Sequence, residues 1–186
     1  MKIAIFLATG FEEGEALFLA DILKRASFDV KLVSITSSDL ISGSHDITVK
    51  TDMFLDDSIK DFDMVILPGG LPGATNLRNS NKVIEMVKYF NENNKYIAAI
   101  CAAPIVLDRA GIVKNKKLTS YPSDEYKNLL KNSGANYVED IVVVDNNLIT
   151  SRGPATVMEF AYKIVDTLGG NSNLLKESML YNLLNK

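Results

Sequence analysis

The feature that most constrains this chain is an alternation. Near-continuous apolar runs of strand length stand at 2–7 (KIAIFL), 30–35 (VKLVSI), 64–68 (MVILP), 96–100 (YIAAI), 141–144 (IVVV) and 148–150 (LIT). Between them lie segments with helical spacing, over 15–26, 80–93, 103–109, 123–131 and 155–168. In the first of these, Leu17, Leu19, Ala20, Ile22 and Leu23 form an apolar stripe with Asp21, Lys24 and Arg25 among them. Ser80 is placed to cap the helix that begins SNKVIEMVKYF. A strand that is apolar throughout has both faces covered, and strand, helix, strand at this spacing makes βαβ units around a parallel sheet. The sequence therefore predicts an α/β fold with a mostly parallel central sheet between helices. The segment 36–52, with SGSHDITVK, reads as a hairpin or edge strand, and SNLLKESMLYNLL predicts a C-terminal helix at about 172–184. With no linker, repeat or low-complexity stretch, one domain over 1–186 is expected.

Composition narrows the function classes. The formal charge is −3 and the pI about 5.2, so nucleic acid is not an expected partner. No apolar run approaches the roughly 18 residues that span a bilayer, so no membrane partner is expected. The acids after the short apolar start argue against a signal peptide, and a cytoplasmic location is expected. A lone cysteine, Cys101, excludes an internal disulfide, and with one histidine, His45, a zinc site is not expected.

In open α/β sheets, ligands gather beyond the carboxyl ends of the strands. Three loops fall there: ATGFEEGE after the first strand, PGGLPGAT after MVIL, and CAAP after YIAAI. Each has two readings. Gly69 and Gly70 make either a plain turn or a nest of N–H groups that a ligand approaches closely. Glu12, Glu13 and Glu15 either compensate a helix dipole in solvent, or Glu12 and Glu15 share a face directed at the thiol. Cys101 either fills a core gap or stands at a strand-to-helix elbow, where the N–H of Ala102 and the following helix favour a thiolate. Convergence of the three loops on one crevice tips the reading of Cys101 towards an active site.

With GFEEGE, DMVILPGG, AAICAAP and TSRGPAT in this order and spacing, the chain resembles the short branch of the ThiJ/PfpI family, from about residue 2 to about 170. The resemblance implies a flavodoxin-like three-layer sandwich of the class I glutamine amidotransferase-like kind, usually a homodimer. It implies a redox-sensitive stress protein, with glyoxalase or deglycase action on α-oxoaldehydes and no cofactor or metal. Position by position, it assigns Cys101 as the reactive cysteine, Glu15 as the acid on its sulfur and Glu12 as a second acid of the pocket. Gly69, Gly70 and Ala102 correspond to the oxyanion pocket, and Arg25 to an arginine that reaches the partner protomer's site. Ser151, Arg152, Gly153 and Pro154 correspond to a bordering loop.

The chain departs from the family where many relatives carry a histidine near the cysteine: TSYPSDE places Tyr121 there. His45 falls where some relatives have an arginine. An ordinary phenol is a poor base near neutral pH, so peptidase activity is not expected. The expected function is a cysteine-dependent glyoxalase or deglycase acting on methylglyoxal-like aldehydes or their adducts on proteins. The alternative is a redox sensor whose Cys101 is oxidised to a sulfinate with little turnover. A flavin- or phosphate-binding module is disfavoured by the acids of the first loop.

Overall fold

The apolar runs become strands and the striped segments become helices in the computed structural model, which describes residues 1–185. β1 (Lys2–Leu7), α1 (Glu13–Arg25) and β2 (Asp29–Ser34) form the first βαβ unit. The turn-rich segment that follows is a hairpin, β3 (Leu40–Ser42) and β4 (Thr48–Lys50), which pairs only with itself. Then come β5 (Met53–Phe54), β6 (Met64–Leu67), α2 (Gly73–Asn79), α3 (Asn81–Glu92) and β7 (Tyr96–Ile100). α4 (Pro104–Arg109), β8 (Lys117–Leu118), α5 (Asp124–Asn132) and β9 (Asn136–Tyr137) lead to the hairpin β10 (Val142–Asp145) and β11 (Leu148–Ser151). α6 (Val157–Thr167) and α7 (Ser172–Ser178) complete the order.

The main sheet runs β10-β11-β7-β6-β1-β2-β5, parallel except for β10. Alternate residues of each strand serve opposite faces. Ala4, Phe6, Val65, Leu67, Ile97 and Ala99 pack with residues of α2, α3, α4 and α5. Ile3, Ile5, Met64, Ile66, Ala98 and Ile100 pack with α1 and α6. That is the expected three-layer arrangement, and it accounts for the apolar continuity of the inner strands β1, β6, β7 and β11, which are buried on both sides, while the edge strand β10 leaves Val144 exposed.

The helices begin where the chemistry allows. Ser80 Oγ accepts from Val83 N at 3.4 Å at the start of α3, and Ser123 Oγ accepts from Tyr126 N at 3.2 Å at the start of α5. On α3, Val83, Ile84, Met86, Val87 and Phe90 are buried, a helical spacing that faces the sheet. The chain adds β2 on one side of β1 and later β6 on the other. The sheet therefore changes its direction of growth at β1 and opens a crevice beyond the ends of β1 and β6.

Two expectations need correction. α2 was not foreseen: its seven residues begin with a glycine and carry too little periodic pattern. The C-terminal stretch is not one helix over 172–184. α7 ends at Ser178, Leu180 takes a left-handed φ of 59°, and a 3₁₀ turn over Tyr181–Asn185 follows. The break brings the Tyr181 ring edge-on to Tyr162 of α6 at 5.1 Å between centroids. That contact supplies a physical reason for the turn, since a continuous helix would carry Tyr181 onward along its axis.

Candidate active site

The ends of β1, β6 and β7 deliver the three loops to one place. The β7 strand stops at Cys101, which adopts a φ of 63°. A non-glycine residue in the left-handed region is strained and persists only where neighbours hold it. Here Cys101 N donates to Ser151 O at 3.1 Å, and Cys101 O accepts from Tyr121 N at 2.8 Å. Ala102 and Ala103 lead directly into α4, and the sulfur-bearing residue lies against both hydrophobic clusters, at the edge where the two layers meet.

Gly69 and Gly70 form the opposite wall. Gly69 N donates to Glu15 Oε2 at 2.7 Å, and Gly69 O accepts from Glu12 N at 2.9 Å. A Cβ on Gly69 would lie 2.6 Å from the Cys101 Cβ and 2.8 Å from Glu15 Oε2. The missing side chain is what allows cysteine, carboxyl and loop to meet. Gly70, at φ 85°, abuts the backbone of Phe11 and Glu12, so the two loops lock together at a position open only to glycine.

Glu15 is wholly buried on the first turn of α1. Oε2 holds the Gly69 N–H, while Oε1 has no partner of hydrogen-bond geometry among the described residues. Burial raises its pKa to about 7; the Gly69 N–H and the Cys101 thiol oppose the rise, and the charge of Glu12 adds to it. The thiol is pushed up to about 12, first by burial, then by the charge and hydrogen-bonding influence of Glu15. The N–H groups of Gly70 and Ala102 pull it back down. This corrects the expectation that the helix start makes Cys101 a ready thiolate. α4 is only six residues long, and burial beside a carboxylate outweighs it.

The remaining residues divide. Glu12 sits half-buried at the mouth, before α1. Tyr121 is exposed, with its ring beside Gly153. Pro154 begins a 3₁₀ turn on that bordering loop, and Ser151 is a scaffold residue whose Oγ meets Ile141 O and Thr156 Oγ1, each at 2.8 Å. Arg152 turns outward, with Nη1 donating to Glu139 O at 2.6 Å. Arg25 does not join this chain's own cluster. It pairs with Asp21 at 3.0 Å in the last turn of α1, about 18 Å along the helix from Glu13.

Two residues near the crevice escaped the sequence reading. Glu13, which looked like one more solvated acid, is buried and anchored by the β3–β4 hairpin. Its carboxyl is held down at about 2: burial alone would raise it, but hydrogen bonds from the His45 side chain and the backbone N–H groups of His45 and Ile47 win. Tyr126 on α5 packs against the same apolar cluster that Cys101 borders. Neither carries a sequence signal beyond its residue type.

The carboxyl of Glu15 titrates higher folded than unfolded, so between its ordinary range and about 7 the folded protein holds the extra proton. Stability is lost as pH rises through that window. Glu15→Gln, which cannot ionise, should therefore gain stability over the wild type on going from pH 5 to pH 8, by up to a few kcal/mol. Urea denaturation at the two pH values measures it; a difference that stays constant would show that Glu15 ionises normally.

Comparison with known proteins gives the same site a lineage. Residues 1–167 match the model of the DJ-1/PfpI family. Protein dj-1beta of Drosophila melanogaster is 41% identical over 172 residues, covering 91% of this chain and 90% of that one. The crystal structure of Drosophila melanogaster DJ-1beta superposes with a TM-score of 0.90 at 38% identity, over 96% of this chain and 97% of that chain. A glutathione-independent glyoxalase of Caenorhabditis elegans, DJR-1.2, is 36% identical, over 89% of this chain and 88% of its own length. The flavodoxin-like architecture agrees with these matches, and the chain belongs to the DJ-1/PfpI family.

Proposed function

We propose that this protein is a glyoxalase- or deglycase-type enzyme acting on methylglyoxal-like α-oxoaldehydes, or on their adducts with protein groups. The observation that carries the reading is the pairing, in one crevice, of a strained-elbow thiol with a buried carboxyl that titrates near neutrality. Similarity to a relative named as a glutathione-independent glyoxalase supports the substrate class.

The reaction runs on proton transfers. The Cys101 thiol gives its proton to the Glu15 carboxylate, and the sulfur attacks the aldehyde carbon. N–H groups of Gly70 and Ala102, which already favour the anionic sulfur, stabilise the developing alkoxide. Once the alkoxide has taken up the proton from Glu15, that carboxylate removes the C–H proton of the hemithioacetal. It returns the proton to the neighbouring carbon, leaving a lactoyl thioester. Water hydrolyses the thioester to lactate and restores the thiol. One carbon is oxidised as its neighbour is reduced, so the sequence is redox-neutral and balanced by one water. Glu12 and Tyr121 line the mouth in this reading, and no peptidase step is assigned because a phenol stands where an imidazole would be needed.

Lactate formation from methylglyoxal should fall about 100-fold or more in Cys101→Ser and in Glu15→Gln. Tyr121→His should leave the activity standing or raise it. Equal rates for wild type and Cys101→Ser would remove the nucleophile assignment.

A second reading rests on the lone, partly exposed thiol standing beside a carboxyl that burial keeps protonated up to about pH 7 and that can therefore donate to an oxidised sulfur. In that reading Cys101 is a slow redox sensor. Two equivalents of peroxide convert the thiol to a sulfinic acid and two waters, and a protonated Glu15 donates to the product. With no second cysteine, no internal disulfide intercepts the sulfenic stage. Intact-mass measurement after mild peroxide should show two added oxygen atoms on Cys101; oxidation that spares Cys101 and spreads over the methionines excludes the sensor.

We further propose a cytoplasmic homodimer in which Arg25 reaches the partner's site. Leu17 and Phe18 leave an apolar patch on the outer face of α1, the helix that carries Arg25, which supports this face as the contact. Among the described residues no helix is long and apolar enough to cross a membrane. Sedimentation should give a dimer at micromolar concentration, weakened by Phe18→Asp; a monomer at all concentrations rules the arrangement out.

A further inference from the structure

The β3–β4 hairpin takes no place in the main sheet, yet it is bonded to the loop that carries the acids of the crevice. Gly10 N donates to Ser42 O and Ser44 N donates to Phe11 O, each at 2.8 Å. Glu13 completes the join from the α1 side. Its Oε1 accepts from His45 N at 2.7 Å, and its Oε2 lies 2.9 Å from His45 Nδ1. Gly43 leaves room for this, because a side chain there would collide with the Glu13 carboxyl. Both Glu13 oxygens are thereby occupied, and a buried carboxylate held in this way anchors the hairpin to the start of α1.

The same anchor brings the hairpin to Glu12. Ser44 Oγ lies 3.3 Å from Glu12 Oε2 and 3.2 Å from Glu13 Oε2, so its one hydrogen serves either carboxylate. His45 Nδ1 stands 3.8 Å from Glu12 Oε2, too far for a hydrogen bond but close for a charge. Among the described residues, His45 is the ion-pair partner of both Glu12 and Glu13, and no lysine or arginine shares that place. Glu12 in turn is tied to Glu15 through a single residue. Glu12 N donates to Gly69 O, and Gly69 N donates to Glu15 Oε2. The ionisable groups that bear on Glu15 are Glu12 and Cys101; those that bear on His45 are Glu12, Glu13 and its neighbour Asp46.

We infer that Ser44 and His45 are positioning residues for Glu15: they hold the Glu12 carboxyl at the mouth of the crevice and offset its negative charge. The field in which Glu15 exchanges a proton with Cys101 is therefore set from the hairpin. This role rests on the reading of Glu15 as acid and base of the aldehyde reaction, and neither residue touches a reacting atom. The offset exists only while the imidazole is protonated. The hydrogen bond to Glu13, then the charges of Glu12 and Glu13, hold that proton to higher pH than a free imidazole would. As pH rises beyond that point, the full charge of Glu12 bears on Glu15, which then keeps its own proton more tightly. A permanent cation at position 45 would keep the offset at every pH, and a neutral amide would remove it.

Carbon-13 NMR titration of the Glu15 carboxyl in the full-length protein, assigned with Glu15→Gln, reads this control directly. His45→Gln should move the Glu15 midpoint up and His45→Arg should move it down, each by about 0.3 pH unit. Glu12→Gln should move it down further, and His45→Gln made in that background should have less than half its effect. The pH profile of lactate formation should shift with the carboxyl. A hairpin that only supports the fold would answer both changes at His45 in one direction or not at all, and either result would overturn the inference. The His45 side chain is 68% exposed, which favours folding of both variants. If circular dichroism shows that His45→Gln is unfolded, His45→Arg decides alone, since an unmoved or raised midpoint overturns the inference. Opposed shifts in a protein that forms no lactate would remove the aldehyde reaction and keep the hairpin's hold on Glu15. Lactate formation without the opposed shifts would do the reverse.

Discussion

Everything in the crevice depends on one hydrogen bond, from Gly69 N to Glu15 Oε2 at 2.7 Å. It ties the loop after β6 to the first turn of α1, and it holds a carboxyl that burial would otherwise expel or neutralise. The bond is short because the two segments approach without a side chain between them, and Gly69 is what removes the obstacle. From it the rest follows in order. Glu12 N reaches back to Gly69 O, and the first and second loops close beside the thiol of the third.

Burial gives this pair its chemistry by opposing both of its charged forms. A carboxyl raised towards neutrality and a thiol raised to about 12 resist ionising together, so the pair carries at most one negative charge near pH 7. The charge rests first on the carboxyl. Transfer of one proton moves it to the sulfur, where the N–H groups of Gly70 and Ala102 wait. A nucleophile made on demand is protected from casual oxidation. The same shift slows attack on any electrophile that does not itself favour the transfer. Catalyst and sensor thus draw on one equilibrium and differ in what drives it.

The order of elements was legible because burial on both faces leaves an unmistakable apolar run in the inner strands β1, β6, β7 and β11. The two-residue strands β5, β8 and β9 left no such trace, nor did α2. Within the site, Cys101, Glu15 and the glycines could be picked out, because their loops all fall at strand ends. Their electrostatics could not. GFEEGE shows three acids in a row, yet Glu12 is half-buried at the mouth, Glu13 is buried against the hairpin and Glu15 is buried against the thiol. The difference is made by residues far along the chain, His45 for one and Gly69 for the other. The direction of the thiol's shift was lost for the same reason: the helix after it is local and visible, whereas burial is collective.

The chain's only imidazole sharpens the point. His45 hydrogen-bonds to Glu13, while the residue that meets the Cys101 backbone is Tyr121, whose N–H donates to Cys101 O. In the proposed reaction no histidine is at hand to take the thiol proton, and Glu15 serves as the base. Its competence then turns on charge nearby, and Glu12 already acts on it. A molecule entering the crevice meets an acid that its own polarity will tune: a carbonyl that displaces water strengthens every local charge, whereas an anion would compete with the proton transfer it needs. In the proposed reaction this geometry would therefore favour neutral electrophiles over carboxylates and phosphates, a preference that the acidic first loop would share.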